Sequence, residues 1–217
     1  MAITVILADD HKIIRDGLKT LIESQHGMKV IAEAENGRET IKLAKELKPS
    51  VVIMDISMPD LNGIDATREI VNSIPGVKVI ALSMHSDRRF VSGMLSSGAS
   101  GYLLKDCAFE ELAKAIKTVV SDHTYLSPMI SDIVVKSYIT RSNSPDAAQD
   151  SAPSLTARER EMLQLMAEGM TAKEIASHLF VSVKTVETHR RNIAQKLNIS
   201  RSAELIKYAI REGLVSL

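Results

Sequence analysis

The first 122 residues alternate short apolar runs with longer segments in which apolar residues recur every three or four positions. The short runs have the length of buried strands, and the longer segments have the period of amphipathic helices. Strands are predicted at 3–8, 28–33, 51–54, 78–83 and 101–104, and helices at about 11–24, 37–47, 63–74, 87–97 and 108–121. This alternation predicts an α/β domain of five βα units, a doubly wound parallel sheet with helices on both faces.

The pattern changes after residue 122. One more short helix is predicted at 128–139 (PMISDIVVKSYI), and it is followed at 141–154 by RSNSPDAAQDSAPS, which has no apolar period. A segment dominated by Ser, Pro, Ala and Asp is typical of a flexible linker. We therefore assign residues 123–154 to a linker that contains a short helix.

The remaining residues, 155–217, predict a purely helical domain. Two Thr–Glu pairs have the spacing of a capping box, in which each side chain binds a free backbone N–H of the first helical turn: Thr156 with Glu159, and Thr171 with Glu174. Four helices are predicted, at about 157–168, 172–179, 183–197 and 201–212.

Composition is that of a globular protein with apolar cores, since 45% of the residues are hydrophobic and 25% are charged. The single cysteine, Cys107, excludes an internal disulfide and is typical of a protein kept in the reducing cytoplasm. The apolar run at 3–8 is too short for a membrane span or a signal peptide, so no membrane partner is expected.

The net charge of zero is a sum of unequal parts. Residues 1–122 carry a net charge of −2, whereas residues 155–217 carry +3. A mildly basic C-terminal domain is compatible with a nucleic-acid partner, although this charge alone does not identify one.

Polar residues stand where four of the predicted strands end. Asp9 and Asp10 follow the first strand, Asp55 the third, Ser83 the fourth and Lys105 the fifth. The carboxyl ends of parallel strands meet in one crevice, where three carboxylates would raise each other's pKa without a counter-ion. Oxygen ligands suit Mg²⁺. The pattern therefore favours a magnesium site in which Asp55 attacks a phosphoryl group whose oxygens are bound by Ser83 and Lys105.

The three carboxylates also have local explanations. Asp9 or Asp10 could cap the helix that begins near His11, and Asp55 could form an Asx-type turn before Pro59. For any one residue the local explanation is the better one. The placement of all five residues at strand ends favours a shared site.

The same residues resemble the receiver domain of bacterial response regulators. The resemblance is carried by DD at 9–10, the D-x-x-M-P-x-x-x-G pattern at 55–63, Ser83, and the Lys of YLLKD at 102–106. It implies that Asp55 accepts a phosphoryl group from a histidine kinase. The other implied roles are Mg²⁺ binding by Asp10, Asp55 and the backbone carbonyl of Ser57, with Asp9 acting through water, phosphoryl-oxygen binding by Ser83 and Lys105, and an aromatic switch at Tyr102.

One position departs from the receiver pattern. Many receivers have a proline after the lysine, joined by a cis peptide bond, whereas this chain has Asp106. A cis bond before a non-proline residue costs ~2.5–4 kcal/mol, so that geometry is not carried over to Lys105.

An aspartyl-phosphate can also be an enzyme intermediate, as in phosphatases of the haloacid-dehalogenase type. Those enzymes need a second Asp two residues after the nucleophile as a general acid and base, and this chain has Ser57 there. Because a serine hydroxyl carries protons poorly at neutral pH, loss of the phosphoryl group should be slow. We therefore expect a phospho-acceptor and not an enzyme, with only slow self-phosphorylation and autodephosphorylation.

The helix predicted at 183–197 has two different sides. Val186, Ile193 and Leu197 form an apolar stripe, and the opposite side carries Lys184, Thr188, Arg191 and Gln195. Such a side suits the major groove of DNA, although a basic face is more often simply solvated. The short preceding helix and its tight FVS turn give helix-turn-helix spacing, which favours DNA.

The segment from LTARERE at 155–161 through EIASHLFVSVKTVETHRRNIAQKL also resembles the LuxR-type DNA-binding domain. The resemblance implies base-edge contacts by Glu187, Thr188 and Arg191, and phosphate or groove-edge contacts by Lys184, Thr185, His189, Arg190 and Lys196. For His189, packing in the core remains an equal alternative. The final helix resembles the family's dimer contact, and a two-fold dimer requires half-sites roughly 34–36 Å apart.

Together the two domains resemble the NarL/FixJ group of response regulators. The resemblance implies a phosphorylation-controlled transcription factor that forms a homodimer on activation. Its expected partners are a sensor histidine kinase and double-stranded DNA with inverted half-sites, with RNA polymerase as a further candidate. Two alternatives remain open, a phosphotransfer enzyme without DNA binding and a DNA-binding protein that is independent of phosphorylation.

Overall fold

The computed structural model describes residues 2–84, 86–142 and 155–215. The chain divides into two compact units, Met1–Thr140 and Arg141–Leu217. The first unit therefore continues past residue 122, where the sequence pattern changes.

The first unit is built on a six-stranded parallel sheet in the order β2-β1-β3-β4-β5-β6. Chain connections run in opposite directions from β1, so a crevice opens at the carboxyl ends of β1 and β3. This sheet confirms the predicted doubly wound architecture. The strands are β1 (Ile3–Ala8), β2 (Met28–Ala34), β3 (Val51–Asp55), β4 (Lys78–Ser83), β5 (Gly101–Leu104) and β6 (Tyr125–Leu126).

All five predicted strands are present, and a sixth, β6, lies in the segment that the sequence assigned to the linker. Strand β6 pairs with β5 through Gly101 opposite Tyr125 and Tyr102 opposite Leu126. Two residues are too few to show an alternating pattern, so β6 is defined by its pairing and not by its sequence.

The first five helices of this unit begin and end within one residue of the predicted positions, and the sixth ends three residues later than predicted. Side chains of Asn36, Asn62 and Asp87 each accept a backbone N–H from the first turn of the helix that follows. The helices are α1 (Lys12–Glu23), α2 (Gly37–Leu47), α3 (Gly63–Ser73), α4 (Arg88–Ser96), α5 (Ala108–Val120) and α6 (Pro128–Ser142), with a 3₁₀ turn at Lys105–Cys107.

Alternate side chains of the central strands belong to two separate apolar layers, one on each face of the sheet. Val52 and Met54 of β3 pack with residues of α2, α3 and α4, whereas Val51 and Ile53 pack with residues of α1 and α5. Helix α6 adds the buried Ile130 to the first layer. Part of the segment assigned to a linker thus belongs to the first unit, and residues 143–154 lie outside the described residues.

The second unit confirms the predicted helical domain. Its helices are α7 (Ala157–Ala167), α8 (Ala172–His178), α9 (Val183–Leu197) and α10 (Ser202–Arg211). Both predicted capping boxes are present, at Thr156 and Thr171. The helices share one core, which includes Leu163, Ile175, Val186, Ile193 and Leu205.

Across the described ranges, none of the helices combines the length and the apolar composition needed to cross a bilayer.

Candidate functional site

Lys105 joins two carboxylates at the crevice of the sheet. Its Nζ lies 2.7 Å from Oδ2 of Asp9 and 3.0 Å from Oδ2 of Asp55. All three side chains are less than 10% exposed. The structure thus brings together residues that the sequence places at the ends of three different strands.

The charges at this cluster shift one another's pKa. Burial raises the pKa of Asp55, Lys105 lowers it and Asp9 raises it, and the net shift is upward. Burial lowers the pKa of Lys105, but the two carboxylates outweigh that effect and hold it above its usual value. Lys105 therefore stays charged, and the Asp55 carboxylate is less stable as an anion than it would be in water.

Asp10 and His11 extend the cluster toward solvent. His11 Nδ1 lies 2.7 Å from Asp10 Oδ1 and 3.2 Å from Asp9 Oδ1. One ligand atom from each of Asp9, Asp10, His11 and Asp55 lies within 4.8 Å of the others. His11 was not among the residues predicted from the sequence, although three consecutive metal-ligating residue types follow the first strand.

This donor set can hold a divalent cation. Three carboxylates face one ammonium, so negative charge is in excess, and carboxylate oxygens are the ligands that Mg²⁺ prefers. Ser57 lies partly buried in the loop that follows β3.

The local hydrogen bonds of Asp9 and Asp55 involve only one of the two carboxylate oxygens in each residue. Asp9 Oδ1 accepts the backbone N–H of His11 at 2.9 Å, and Asp55 Oδ1 accepts the backbone N–H of Ile56 at 2.7 Å. In both residues the second oxygen faces Lys105 across the crevice. His11, not Asp9 or Asp10, occupies the capping position of α1, and its side chain makes no capping bond.

The loop after Asp55 is held close to the strand by a glycine. Gly63 donates its backbone N–H to the carbonyl of Ile56 at 2.9 Å. A Cβ at Gly63 would lie 1.9 Å from the backbone oxygen of Asp55, so only glycine allows this approach. This contact explains the glycine of the D-x-x-M-P-x-x-x-G pattern.

Ser83 and Tyr102 are buried together beside the cluster, with 1% and 0% of their surface exposed. Burial raises the pKa of Tyr102 to about 12, which a hydrogen bond with Ser83 partly offsets. Tyr102 thus already points inward. Within the described residues no peptide bond is cis, including the bond after Lys105.

Helix α9 presents the side chains that the sequence assigns to DNA. Lys184, Glu187, Thr188 and Arg191 are exposed, on the side opposite the buried Val186 and Ile193. Ser182 caps the helix by accepting the backbone N–H of Thr185 at 3.0 Å. The predicted two-sided character of α9 is therefore confirmed.

Of three other predicted DNA contacts, two have partners inside the second unit and the third is partly buried. Lys196 Nζ lies 2.7 Å from Oε2 of the buried Glu159, and Arg190 donates to Ser202 Oγ at 2.8 Å. His189 is partly buried, and its Nδ1 is buried without a hydrogen-bond partner. The packed alternative thus describes the placement of His189 better than an exposed DNA contact does.

Each of the two units matches a known protein family. The model of the response regulator receiver domain matches residues 5–117, and the model of the bacterial regulatory proteins of the luxR family matches residues 153–209. Fold and sites define a two-domain regulator with an acidic strand-end site and a helix-turn-helix. The chain belongs to the response regulators, with a receiver domain followed by a LuxR-type DNA-binding domain.

Full-length relatives share this organisation. The transcriptional regulatory protein MctR of Rhizobium johnstonii is 38% identical over 214 residues, which cover 99% of this chain and 96% of that protein. The oxygen regulatory protein NreC of Staphylococcus carnosus is 38% identical over 213 residues, covering 97% and 98%. The structure of RcsB from Salmonella enterica serovar Typhimurium, bound to a promoter with the phosphomimetic BeF3⁻, has a TM-score of 0.60 at 27% identity and covers 96% and 98%.

Proposed function

We propose that this chain is a transcription factor whose binding to DNA is controlled by phosphorylation of Asp55. The observation that carries the proposal is the pair of contacts from Lys105 to Asp9 and Asp55, 2.7 and 3.0 Å long, at the mouth of the crevice. A buried carboxylate beside a fixed ammonium is equipped to accept a phosphoryl group.

The phosphoryl donor is the phosphohistidine of a sensor histidine kinase. An oxygen of Asp55 attacks phosphorus, an O–P bond forms, the P–N bond breaks, and the histidine leaves with its electron pair and takes up a proton. The ammonium of Lys105 then binds one phosphoryl oxygen, and the hydroxyl of Ser83 donates a hydrogen bond to another. Transfer therefore depends on positioning and charge.

Asp10, Asp55 and the backbone carbonyl of Ser57 would hold Mg²⁺, and Asp9 would act through water. When bound, the ion supplies positive charge that neutralises the phosphoryl oxygens. One ligand atom from each of Asp9, Asp10 and Asp55 lies within 4.8 Å of the others, which supports the carboxylate part of this assignment.

The site is that of an acceptor and not of a turnover enzyme. Ser57 occupies the position at which phosphatases carry their general acid and base, so water is not activated efficiently against the aspartyl-phosphate. Self-phosphorylation and autodephosphorylation are both slow.

The signal leaves the site through Ser83 and Tyr102. A phosphoryl group on Asp55 competes with the Tyr102 hydroxyl for the hydrogen bond to Ser83. Loss of that hydrogen bond makes the buried position of Tyr102 less stable relative to other positions of the ring. Phosphorylation acts only through this difference between two states of the receiver. The state that it favours forms homodimers.

The output is sequence-specific binding of double-stranded DNA by α9. Glu187, Thr188 and Arg191 contact base edges, and Lys184 and Thr185 contact phosphates. Lys196 has a structural role because it pairs with Glu159, and His189 has one because it is partly buried. Arg190 contacts phosphate only when it is released from Ser202. A dimer binds inverted half-sites, and RNA polymerase is a further partner.

DNA as the target and a single cysteine together support action in the cytoplasm. The known structure of RcsB on a promoter in the presence of a phosphomimetic is the precedent that supports the coupling between the two units.

The experiment that tests the acceptor is intact-protein mass spectrometry after incubation with Mg²⁺ and acetyl phosphate. Wild type should gain one phosphoryl adduct, and Asp55→Asn should gain none. Size-exclusion chromatography and gel shift of the same samples should show a dimer and tighter DNA binding for the adduct only. DNA binding by Asp55→Ala equal to that of phosphorylated wild type would instead identify a regulator independent of phosphorylation.

A further inference from the structure

The four helices that the structure describes in the second unit end in the same way. In each, one backbone N–H bonds to the carbonyl three residues earlier, and the next N–H bonds to the carbonyl five residues before it. These paired bonds form a Schellman motif. In α8 they run from Phe180 to Ser177 at 3.3 Å and from Val181 to Ala176 at 2.9 Å.

The motif requires one residue in the left-handed region, where glycine is favoured and asparagine is tolerated. Three of the helices follow that rule, with Gly169 (φ +90°), Asn198 (φ +53°) and Gly213 (φ +72°). The fourth has Phe180 at φ +54°. A bulky side chain in this region is unfavourable, because its Cβ crowds the backbone.

Packing does not compensate for this conformation. Phe180 is 95% exposed, the highest exposure among the large apolar side chains described. Its successor Val181 packs on the core instead. An aromatic ring is thus held in solvent by a turn that would be more stable with glycine or asparagine, and such strain points to a function for the side chain.

The location indicates which function. Phe180 lies in the turn of the helix-turn-helix, two residues before Ser182, the cap of α9. The N-terminal residues of a recognition helix face the base edges of the major groove, so this turn approaches the edge of that groove. Lys184 follows in the first turn of the helix and is exposed.

We infer that Phe180 is a DNA contact, an apolar side chain that packs on DNA at the edge of the major groove beside α9. Its target is the apolar surface that a DNA duplex offers there, the C5-methyl of thymine or the deoxyribose carbons. The inference rests on the proposed binding of DNA by α9 and adds an apolar contact to a set of polar ones.

The test compares full-length variants on duplexes selected from a random library by the wild-type chain, with and without acetyl phosphate. Phe180→Gly and Phe180→Asn should bind about fivefold or more weakly, the loss expected for one or two methylene groups no longer buried. Both should melt at the wild-type temperature or higher, because the left-handed strain is removed. Phe180→Tyr keeps the ring and should bind as wild type.

A second arm identifies the apolar surface. Replacing thymine by deoxyuracil in the selected duplex removes only the C5-methyl. If the wild-type advantage over Phe180→Gly then disappears, the contact is the methyl group; if the advantage persists, the contact is deoxyribose. Either result supports a DNA contact.

Failure of the Phe180 contact can be distinguished from failure of the proposed DNA binding by α9. Phe180→Gly could bind like wild type while Arg191→Ala fails to bind, in which case α9 reads DNA and Phe180 does not contact it. If that Phe180→Gly protein also fails to activate transcription with RNA polymerase, the ring contacts a protein. Wild-type binding by Arg191→Ala would overturn the proposed role of α9 itself.

Discussion

Lys196, in the last turn of α9, forms an ion pair with Glu159, in the first turn of α7, with 2.7 Å between Nζ and Oε2. The same oxygen accepts the backbone N–H and the hydroxyl of Thr156, at 2.8 and 3.0 Å. Glu159 is buried, so the capping box and the ion pair depend on one carboxylate. This contact fixes the recognition helix to the start of the domain.

Lys196→Met should lower the free energy of unfolding of the second unit by about 2 kcal/mol, the value of a hydrogen bond to a charged group. Burial raises the pKa of Glu159, but Lys196 and Thr156 outweigh it, so the net pKa is lowered. A lowered carboxyl pKa gives stability that is present above its usual value of 4.5 and is lost as the pH falls. Chemical denaturation at neutral and acidic pH measures both effects.

Lys184→Met is the matched control, because Lys184 lies at the other end of α9 and is exposed. It should leave stability unchanged and reduce the slope of log affinity against log salt by about 1, whereas Lys196→Met should leave that slope unchanged. A reduced slope for Lys196→Met would restore Lys196 to the phosphate contacts.

Asp55→Asn should be more stable than wild type at neutral pH when metal is removed with EDTA. The raised pKa of Asp55 means that the folded state binds more protons than the unfolded state between the usual and the raised pKa. Wild-type stability therefore falls as the pH rises through that window, by up to about 1.4 kcal/mol per pH unit. Urea unfolding of both proteins across pH 3–8 measures the difference; a constant difference would contradict the burial of this charge.

Tyr102→Phe should differ from wild type in how its stability depends on pH in the alkaline range. Because burial raises the pKa of Tyr102 to about 12, the folded state keeps its proton while the unfolded tyrosine ionises near its usual value of 10. Wild type should lose up to about 1.4 kcal/mol per pH unit relative to Tyr102→Phe between pH 10 and 12. At pH 8 the variant should instead be less stable by about 1 kcal/mol, since Ser83 loses a buried partner. Equal stability of the two proteins at every pH would mean that Tyr102 does not occupy its buried position.

Gly63→Ala should destabilise the receiver by roughly 3 kcal/mol and lower phosphorylation of Asp55, because the new Cβ meets backbone. Gly93→Ala is the control. Its Cβ would meet only the end of the Ile64 side chain, at 3.1 Å, so a change below about 1 kcal/mol is expected in a helix that favours alanine. Thermal unfolding and the mass of the adduct report the two effects separately.

Mg²⁺ should raise the melting temperature of wild type, because a ligand that binds only the folded state stabilises it. Asp10→Asn should lose most of that increase. His11→Gln should retain it, since Mg²⁺ prefers oxygen ligands to imidazole nitrogen. An undiminished increase in Asp10→Asn would remove Asp10 from the metal ligands.

The sequence by itself determined the parts whose signal is local. Apolar period, strand length and capping boxes gave the architecture of both units, since each depends on residues a few positions apart. Strand-end polarity also identified Asp9, Asp10, Asp55, Ser83 and Lys105, because parallel strands necessarily bring their carboxyl ends to one crevice.

Only the tertiary structure decided which of these side chains touch and which residues join them. Strand β6 exists through pairing with β5. Lys196 contacts Glu159, 37 positions earlier, although the resemblance to the LuxR-type domain implied a contact with phosphate. The exposure and left-handed backbone of Phe180 were likewise invisible in a sequence where it reads as one apolar residue of FVS. Contacts between distant residues depend on how helices and strands pack, and no local pattern specifies that packing.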